Sequence, residues 1–229
     1  MNKIKEAINS LKEGKFVLIH DSSGRENETD FVIAAEFVKP SHVARMRKDG
    51  GGLICVSVDK EISKKLSLPF CSDIHKDASH KFPVLDYLKA NDIPYDEKSS
   101  FSICINHRKT FTGITDNDRA MTIEKFGELC KNPSPEEFGK QFRSPGHVHL
   151  LISSGLENRE GHTELSTALL EMAGITPVAV LCEMMDDETH NAFSRDKAIE
   201  YAKNQGFVFL EANEIREEFK RSVNKNKIQ

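Results

Sequence analysis

Phe16-Val17-Leu18-Ile19-His20-Asp21-Ser22-Ser23-Gly24-Arg25-Glu26-Asn27-Glu28-Thr29-Asp30-Phe31-Val32-Ile33-Ala34-Ala35 sets a strongly acidic loop between two short apolar runs. Neither run alternates apolar with polar residues, as a strand with one wet face would. Unbroken runs of this length read as strands covered on both faces, which calls for a sheet with helices on either side. Upstream, Ile4, Ala7, Ile8 and Leu11 keep helical spacing, and Gly14 closes that helix. Downstream, Pro40 and Ser41 open a helix that ends at Gly50-Gly51-Gly52, and residues 53–58 return to a strand.

Residues 71–100 are polar and read as loop with one short helix near Leu85. Phe101, Ile103 and Ile105 alternate with Ser102, Cys104 and Asn106, which predicts a half-exposed strand. A helix over 123–130, a loop at Asn132-Pro133-Ser134-Pro135 and a strand over 147–152 follow. Leu165, Ala168, Leu169 and Met172 mark a helix with Thr163 placed to cap it. Strands at 175–181 and 207–210 flank a helix at 196–204. The connections vary too much for a simple doubly wound sheet. The pattern predicts one α/β (α+β) domain, a mixed β-sheet flanked by helices. Its expected extent is residues 1–213, and the charged tail 214–229 should fray after its first turns.

A chain of 229 residues with 38% hydrophobic and 30% charged residues describes an ordinary soluble globular protein. Nothing near 18 consecutive apolar residues occurs, which excludes a membrane span. Met1-Asn2-Lys3-Ile4-Lys5-Glu6 lacks the apolar core of a signal peptide, so a cytoplasmic location is expected. The five cysteines lie far apart with no two-residue spacing, and are expected as reduced thiols. A net charge of −4 gives no electrostatic reason to expect nucleic acid as a partner.

Asp21, Glu26, Glu28 and Asp30 crowd four carboxylates into ten residues, and they repel one another unless something positive lies among them. Arg25, a divalent cation or a polyhydroxy substrate would each relieve that repulsion; a merely solvated acidic loop is the alternative. Carboxylate oxygens are also the preferred ligands of magnesium. Arg159-Glu160-Gly161-His162-Thr163-Glu164 opens a helix, and free N–H groups with Arg159 and Thr163 suit a phosphate. A capped helix with an incidental histidine explains the same residues. Strand alternation puts His147 and His149 on one face, yet no third zinc ligand follows at an expected spacing. His147 therefore reads better as an acid or base beside the Arg159 loop. Glu183 leaves the end of a buried strand, where ligand sites of open α/β sheets lie. Thr112, in a hydroxyl-rich turn, is a candidate substrate contact or simply a turn residue.

Taken in order, Arg25-Glu26-Asn27-Glu28-Thr29-Asp30, Thr112-Gly113-Ile114 with Asp118-Arg119-Ala120, Arg143-Ser144-Pro145-Gly146-His147, Arg159-Glu160-Gly161-His162-Thr163-Glu164 and Leu181-Cys182-Glu183 resemble the 3,4-dihydroxy-2-butanone 4-phosphate synthases. The resemblance runs from about residue 5 to residue 210, in a standalone single-domain form. Ser22, Ser23, Gly24 and Thr29 depart from it, since members often carry more acidic residues at the first three and usually glycine at the last. It implies conversion of ribulose 5-phosphate to 3,4-dihydroxy-2-butanone 4-phosphate and formate. It further implies Mg2+ or Mn2+, one or two ions per site, held by Glu26 and His162. Arg25, Glu26, Asp30, Thr112, Arg159, Glu160, Gly161, His162, Thr163 and Glu183 would bind substrate. His147 and Glu183 would serve proton transfer, with Asp21 and Glu28 as further catalytic carboxylates. A homodimer with sites at the subunit interface is implied as well. Another magnesium-dependent sugar-phosphate isomerase or aldolase, and a non-catalytic ligand- or RNA-binding protein, are the competing expectations.

Overall fold

The computed structural model describes residues 3–226. The helix α1 (Lys3–Lys12) leads into β1 (Val17–His20), which returns through the acidic loop as β2 (Thr29–Ala34). A 3-10 turn (Ala35–Phe37) and α2 (Pro40–Arg45) follow, and α2 runs on as a π-helical turn (Met46–Gly50). Next come β3 (Cys55–Val58), α3 (Lys60–Lys65), α4 (Cys71–Ala78), α5 (Val84–Tyr87) and β4 (Phe101–His107). The second half holds α6 (Asp116–Leu129), α7 (Pro135–Gln141), β5 (Phe142–Ile152), α8 (His162–Ala173), β6 (Val178–Glu183), α9 (Arg195–Gln205), β7 (Val208–Glu211) and α10 (Ala212–Asn226).

The seven strands form one mixed sheet in the order β4-β5-β3-β6-β2-β1-β7. Pairings are antiparallel except β3 with β5 and β1 with β7, so the sheet is mixed as the sequence predicts. All six residues of β2 are buried, because both faces of the sheet are covered. Phe31 and Ile33 join a core with Val43 of α2, Met46 of the π-helical turn, and Ile123 and Phe126 of α6. Val32 and Ala34 join a second core with Leu11 of α1, Leu165 and Leu169 of α8 and Ile215 of α10. Truncating one such buried ring to alanine typically costs about 3–5 kcal/mol. Among the described residues no helix is long and apolar enough to cross a membrane.

Several local expectations give way. Residues 71–78 fold as α4, which the sequence hides because the helix buries none of its residues. Asn132-Pro133-Ser134-Pro135 is the entry to α7 and not only a loop: Ser134 caps it, accepting from the Glu137 N–H, and Pro135 takes the first helical position. Along β4 the alternation starts inverted, with Phe101 40% exposed and Ser102 buried. Register shifts beside Cys104 and Ile105 re-aim those side chains. The segment expected to fray is helical as far as Asn226, since α10 seats Ile215 in the second core and packs Phe219 against it. Residues 227–229 of that tail lie outside the described residues.

The topology also builds the site. Because β2 runs antiparallel to both β1 and β6, it begins where they end, and Asp30 pairs with Ile19 on one side and Glu183 on the other. The N-terminus of α8 arrives over the same end of the sheet.

Candidate active site

Asp21 organises the acidic loop with its own side chain. One carboxylate oxygen accepts from the Glu26 N–H at 3.2 Å and the other from the Glu28 N–H at 3.1 Å. Asn27 sits between them in the left-handed region (φ 55°), which asparagine tolerates. The loop thereby curls back on itself and delivers Glu26 to His162. His162 is buried at the start of α8, its Nδ1 3.2 Å from Glu26 Oε2. Its Nε2–H donates to the Ile19 carbonyl at 3.2 Å, and Nε2 lies 3.7 Å from Asp30 Oδ1, leaving Nδ1 as the nitrogen that faces Glu26. One ligand atom each from Asp21, Glu26 and His162 fall within 4.8 Å of one another. Among the described residues no other three His, Cys, Asp or Glu side chains converge in this way.

The electrostatics follow from this crowding. Burial alone would lower the His162 pKa, but Asp30, Glu26 and Asp21 outweigh it and raise it to about 10. Burial pushes the Asp30 carboxyl well above the usual range, and Glu183, Glu26 and Glu28 add to the effect against the pull of His162. Asp30 Oδ1 is buried without a hydrogen-bond partner among the described residues. Glu28 is likewise raised, by burial first and then by Glu26 and Glu183. Burial also acts upward on Glu26, yet the hydrogen bond to His162 prevails and holds it low.

Positive charge comes from two arginines. Arg25 pairs with Asp96 through two parallel hydrogen bonds of 3.1 and 3.0 Å. Arg159 meets the same Asp96 through Nε at 3.0 Å and Nη2 at 2.6 Å, and donates from Nη1 to Glu164 at 2.5 Å. Gly161, the N-cap of α8, lies against this guanidinium: a Cβ there would come within 2.8 Å of Arg159 Cζ. On the opposite side Glu183 accepts from the Leu53 N–H at 2.8 Å. Gly52 makes that possible, since a Cβ would stand 2.7 Å from the Glu183 Cβ and 2.8 Å from its carbonyl oxygen.

These groups surround a cleft of about 330 Å³. Glu26, Glu28, Asp30 and Glu183 line it with Arg25, Arg159, His162 and Thr163; Cys55 and Leu181 form the sheet wall, and Tyr95 and Asp96 close it above. Thr163 occupies the second position of α8, so it faces the cleft while Gly161, not Thr163, is the cap. Three expected residues stand apart from the others. The Glu160 carboxylate pairs with Arg216 of α10, 2.9 Å distant, outside the cleft lining. Thr112 is exposed, its hydroxyl on Asp118 at 3.3 Å. His147 is exposed on β5, where the Asn106 amide donates to its Nδ1 at 3.1 Å and accepts from its backbone N–H at 2.9 Å. Tyr95, Asp96 and Cys55 are among the cleft residues that the sequence did not single out. Asn91-Asp92-Ile93-Pro94-Tyr95-Asp96 is dominated by turn residues, and Cys55 looks like any buried strand cysteine.

A carboxylate-rich donor set with one imidazole, set against a helix N-terminus and two arginines, suits a protein that takes a cation and an anion side by side. The residues fit a magnesium-like ion: two of the three donors are hard oxygens, Asp30 Oδ1 has no hydrogen-bond partner among the described residues, and the Ile19 carbonyl fixes the imidazole for ligation. Residues 5–218 match the profile of the 3,4-dihydroxy-2-butanone 4-phosphate synthases, and the chain belongs to that family. A synthase of this name from Methanothermobacter thermautotrophicus is 52% identical over 218 residues, covering 94% of this chain and 95% of that one. A crystal structure of such a synthase in its cation-free form superposes with a TM-score of 0.77 at 26% identity, covering 96% and 98% of the two chains. Another, in complex with two magnesium ions, gives 0.74 at 27% identity over 93% and 94%.

Proposed function

We propose that the chain converts D-ribulose 5-phosphate to 3,4-dihydroxy-2-butanone 4-phosphate and formate, as a magnesium-dependent lyase of cytoplasmic riboflavin biosynthesis. The observation that carries this reading is the convergence of Asp21, Glu26 and His162 beside the N-terminus of α8, within a chain of this family. Residues 1–213 form the catalytic unit. Glu26 and His162 are the metal ligands, with Asp21 in reach of the same ion. A bound magnesium supplies positive charge where the enediol oxygens become negative. Manganese serves in its place, given the nitrogen donor.

The protein's own groups do the rest. Arg159, Thr163 and the free N–H groups of α8 hold the phosphate, and Arg25 and Asp30 hold the hydroxyls. Glu183 has one oxygen fixed by Leu53, which leaves the other to take the proton beside the substrate carbonyl. His147 moves a second proton, and it does so from a partner subunit. Thr112 and His147 lie outside the cleft of their own chain, and Phe111 and Ile114, on either side of Thr112 in the sequence, are 94% and 50% exposed. An arm that shows apolar side chains beside two candidate site residues suits a homodimer whose copies complete each other's clefts.

Formate release from ribulose 5-phosphate, with magnesium and with a chelator, tests the reading. The expected result is one formate per four-carbon phosphate, abolished by the chelator. Isomerised substrate without formate would point to an isomerase or aldolase, and untouched substrate would point to a binding protein.

A further inference from the structure

Asp96 stands where an anion is wanted. Its Oδ2 takes both Nε and Nη2 of Arg159 and also Nη2 of Arg25, while Oδ1 takes Nη1 of Arg25. The Nε–Nη2 edge is the fork with which an arginine grips phosphate in a bidentate pair. Nη1 of the same guanidinium is already committed to Glu164, whose side chain is fully buried. Arg159 therefore has no free fork to offer while Asp96 is in place. Burial would raise the Asp96 carboxyl, but hydrogen bonds from Arg25 and Arg159 prevail and keep it ionised. A phosphate dianion arriving beside that carboxylate would face direct repulsion across a shared guanidinium.

The segment that carries Asp96 is built to leave. Residues 91–99 contain neither helix nor strand. Their ties to the cleft are the two arginines: Arg25 Nη1 also donates to the Tyr95 carbonyl at 3.4 Å, and its guanidinium lies 5.7 Å from the Tyr95 ring centroid. Lys98 adds only a 3.4 Å contact to Asp73 and a place over the Phe70 ring, both at the surface. Contacts made of charge are the ones an incoming anion can take over.

We infer that Asp96 is a placeholder anion: it holds Arg25 and the Arg159 fork in position until the phosphate of the substrate takes that fork and residues 93–98 withdraw. The inference rests on the reading of Arg159 as the phosphate ligand. It makes Asp96 a positioning residue with a cost, since a site whose competent form is only a fraction of the population binds correspondingly more weakly.

Inorganic phosphate is the probe, because its binding is read without turnover. By calorimetry, Asp96→Asn should bind phosphate about tenfold more tightly than the unaltered protein. Equal or weaker binding by Asp96→Asn, or no phosphate binding by either protein, would overturn the inference. A second measurement needs no change at Asp96. The chain has only three tyrosines, so fluorotyrosine incorporation gives three fluorine signals, with Tyr95→Phe assigning one. Saturating phosphate should shift the Tyr95 signal and leave Tyr87 and Tyr201 in place; an unmoved Tyr95 signal would count against withdrawal. Tightened phosphate binding in a protein that releases no formate would keep the placeholder and sink the synthase reading. Formate release with unchanged phosphate affinity would do the reverse.

Discussion

His162 and His147 are both flagged by the sequence as chemistry-bearing, and the fold treats them in opposite ways. His162 is 5% exposed, fixed on both ring nitrogens and surrounded by carboxylates of the same chain. His147 stands in the open on β5, oriented only by Asn106. Under the proposed function, the difference divides the site by task. Ligands of a small hard ion must be set within a few tenths of an ångström, which one buried loop and one helix end provide. A group that moves protons needs to arrive only when substrate is enclosed, and an exposed arm can bring it.

Four experiments bear on that division, and the largest effect is expected at its buried half. Glu26→Gln should cut magnesium-dependent formate release by at least about a hundredfold, with far-UV circular dichroism unchanged. An active Glu26→Gln protein would remove that side chain from the metal centre. The next largest effect tests the arm. His147→Ala should be inactive alone, yet mixing it with Glu26→Gln under conditions that exchange subunits should restore about a quarter of normal activity. Half of the dimers are then mixed, and each has one cleft with both residues intact. No recovery on mixing would put His147 in the service of its own chain. Gly52→Ala should act more mildly, displacing Glu183 from the Leu53 N–H and lowering kcat about tenfold, with overpacking that costs roughly 1–3 kcal/mol. Unchanged kcat would show that Glu183 need not be held there.

The smallest effect should come from a charge that only braces a turn beyond β6. The Asp186 pKa is lowered to about 2, first by the Lys197 ammonium at 2.8 Å and then by the Glu188 N–H. A carboxyl whose folded pKa lies below its ordinary value of 3.8 adds stability above about pH 4, and that stability is lost as pH falls toward 2. Lys197→Met should therefore show a shallower fall of Tm between pH 4 and 2, with formate release at neutral pH unaffected. Identical acid profiles would mean the latch contributes nothing measurable.

What could be read from the sequence follows from where burial leaves a pattern. The apolar runs around the acidic loop and before Glu183 are buried on both faces, so they announced a covered sheet, although their spatial order was not legible. The α4 helix buries no residue and showed no stripe to find. The strand β4 misled because register shifts reverse which side chains face inward. In the site, Asp21 to Asp30 and Arg159 to Thr163 were legible because each is a short contiguous stretch of unusual chemistry. Asp96 was not, since its meaning lies in two arginines 71 and 63 residues away in the chain. The pairing of Glu160 with Arg216 was not legible either, because membership in a motif says nothing of which way a side chain turns.

The cleft wall also limits how this protein could be disabled. Cys55 is the thiol that faces the cavity, and burial, followed by Glu183 and Asp30, pushes its pKa well above the usual value. A thiol held in that state offers almost no thiolate at neutral pH, so cysteine-seeking electrophiles should react slowly there. The cysteine would survive oxidising handling that consumes more exposed thiols. An inhibitor for this pocket would gain more from a rigid dianion matched to the arginine pair than from a covalent warhead.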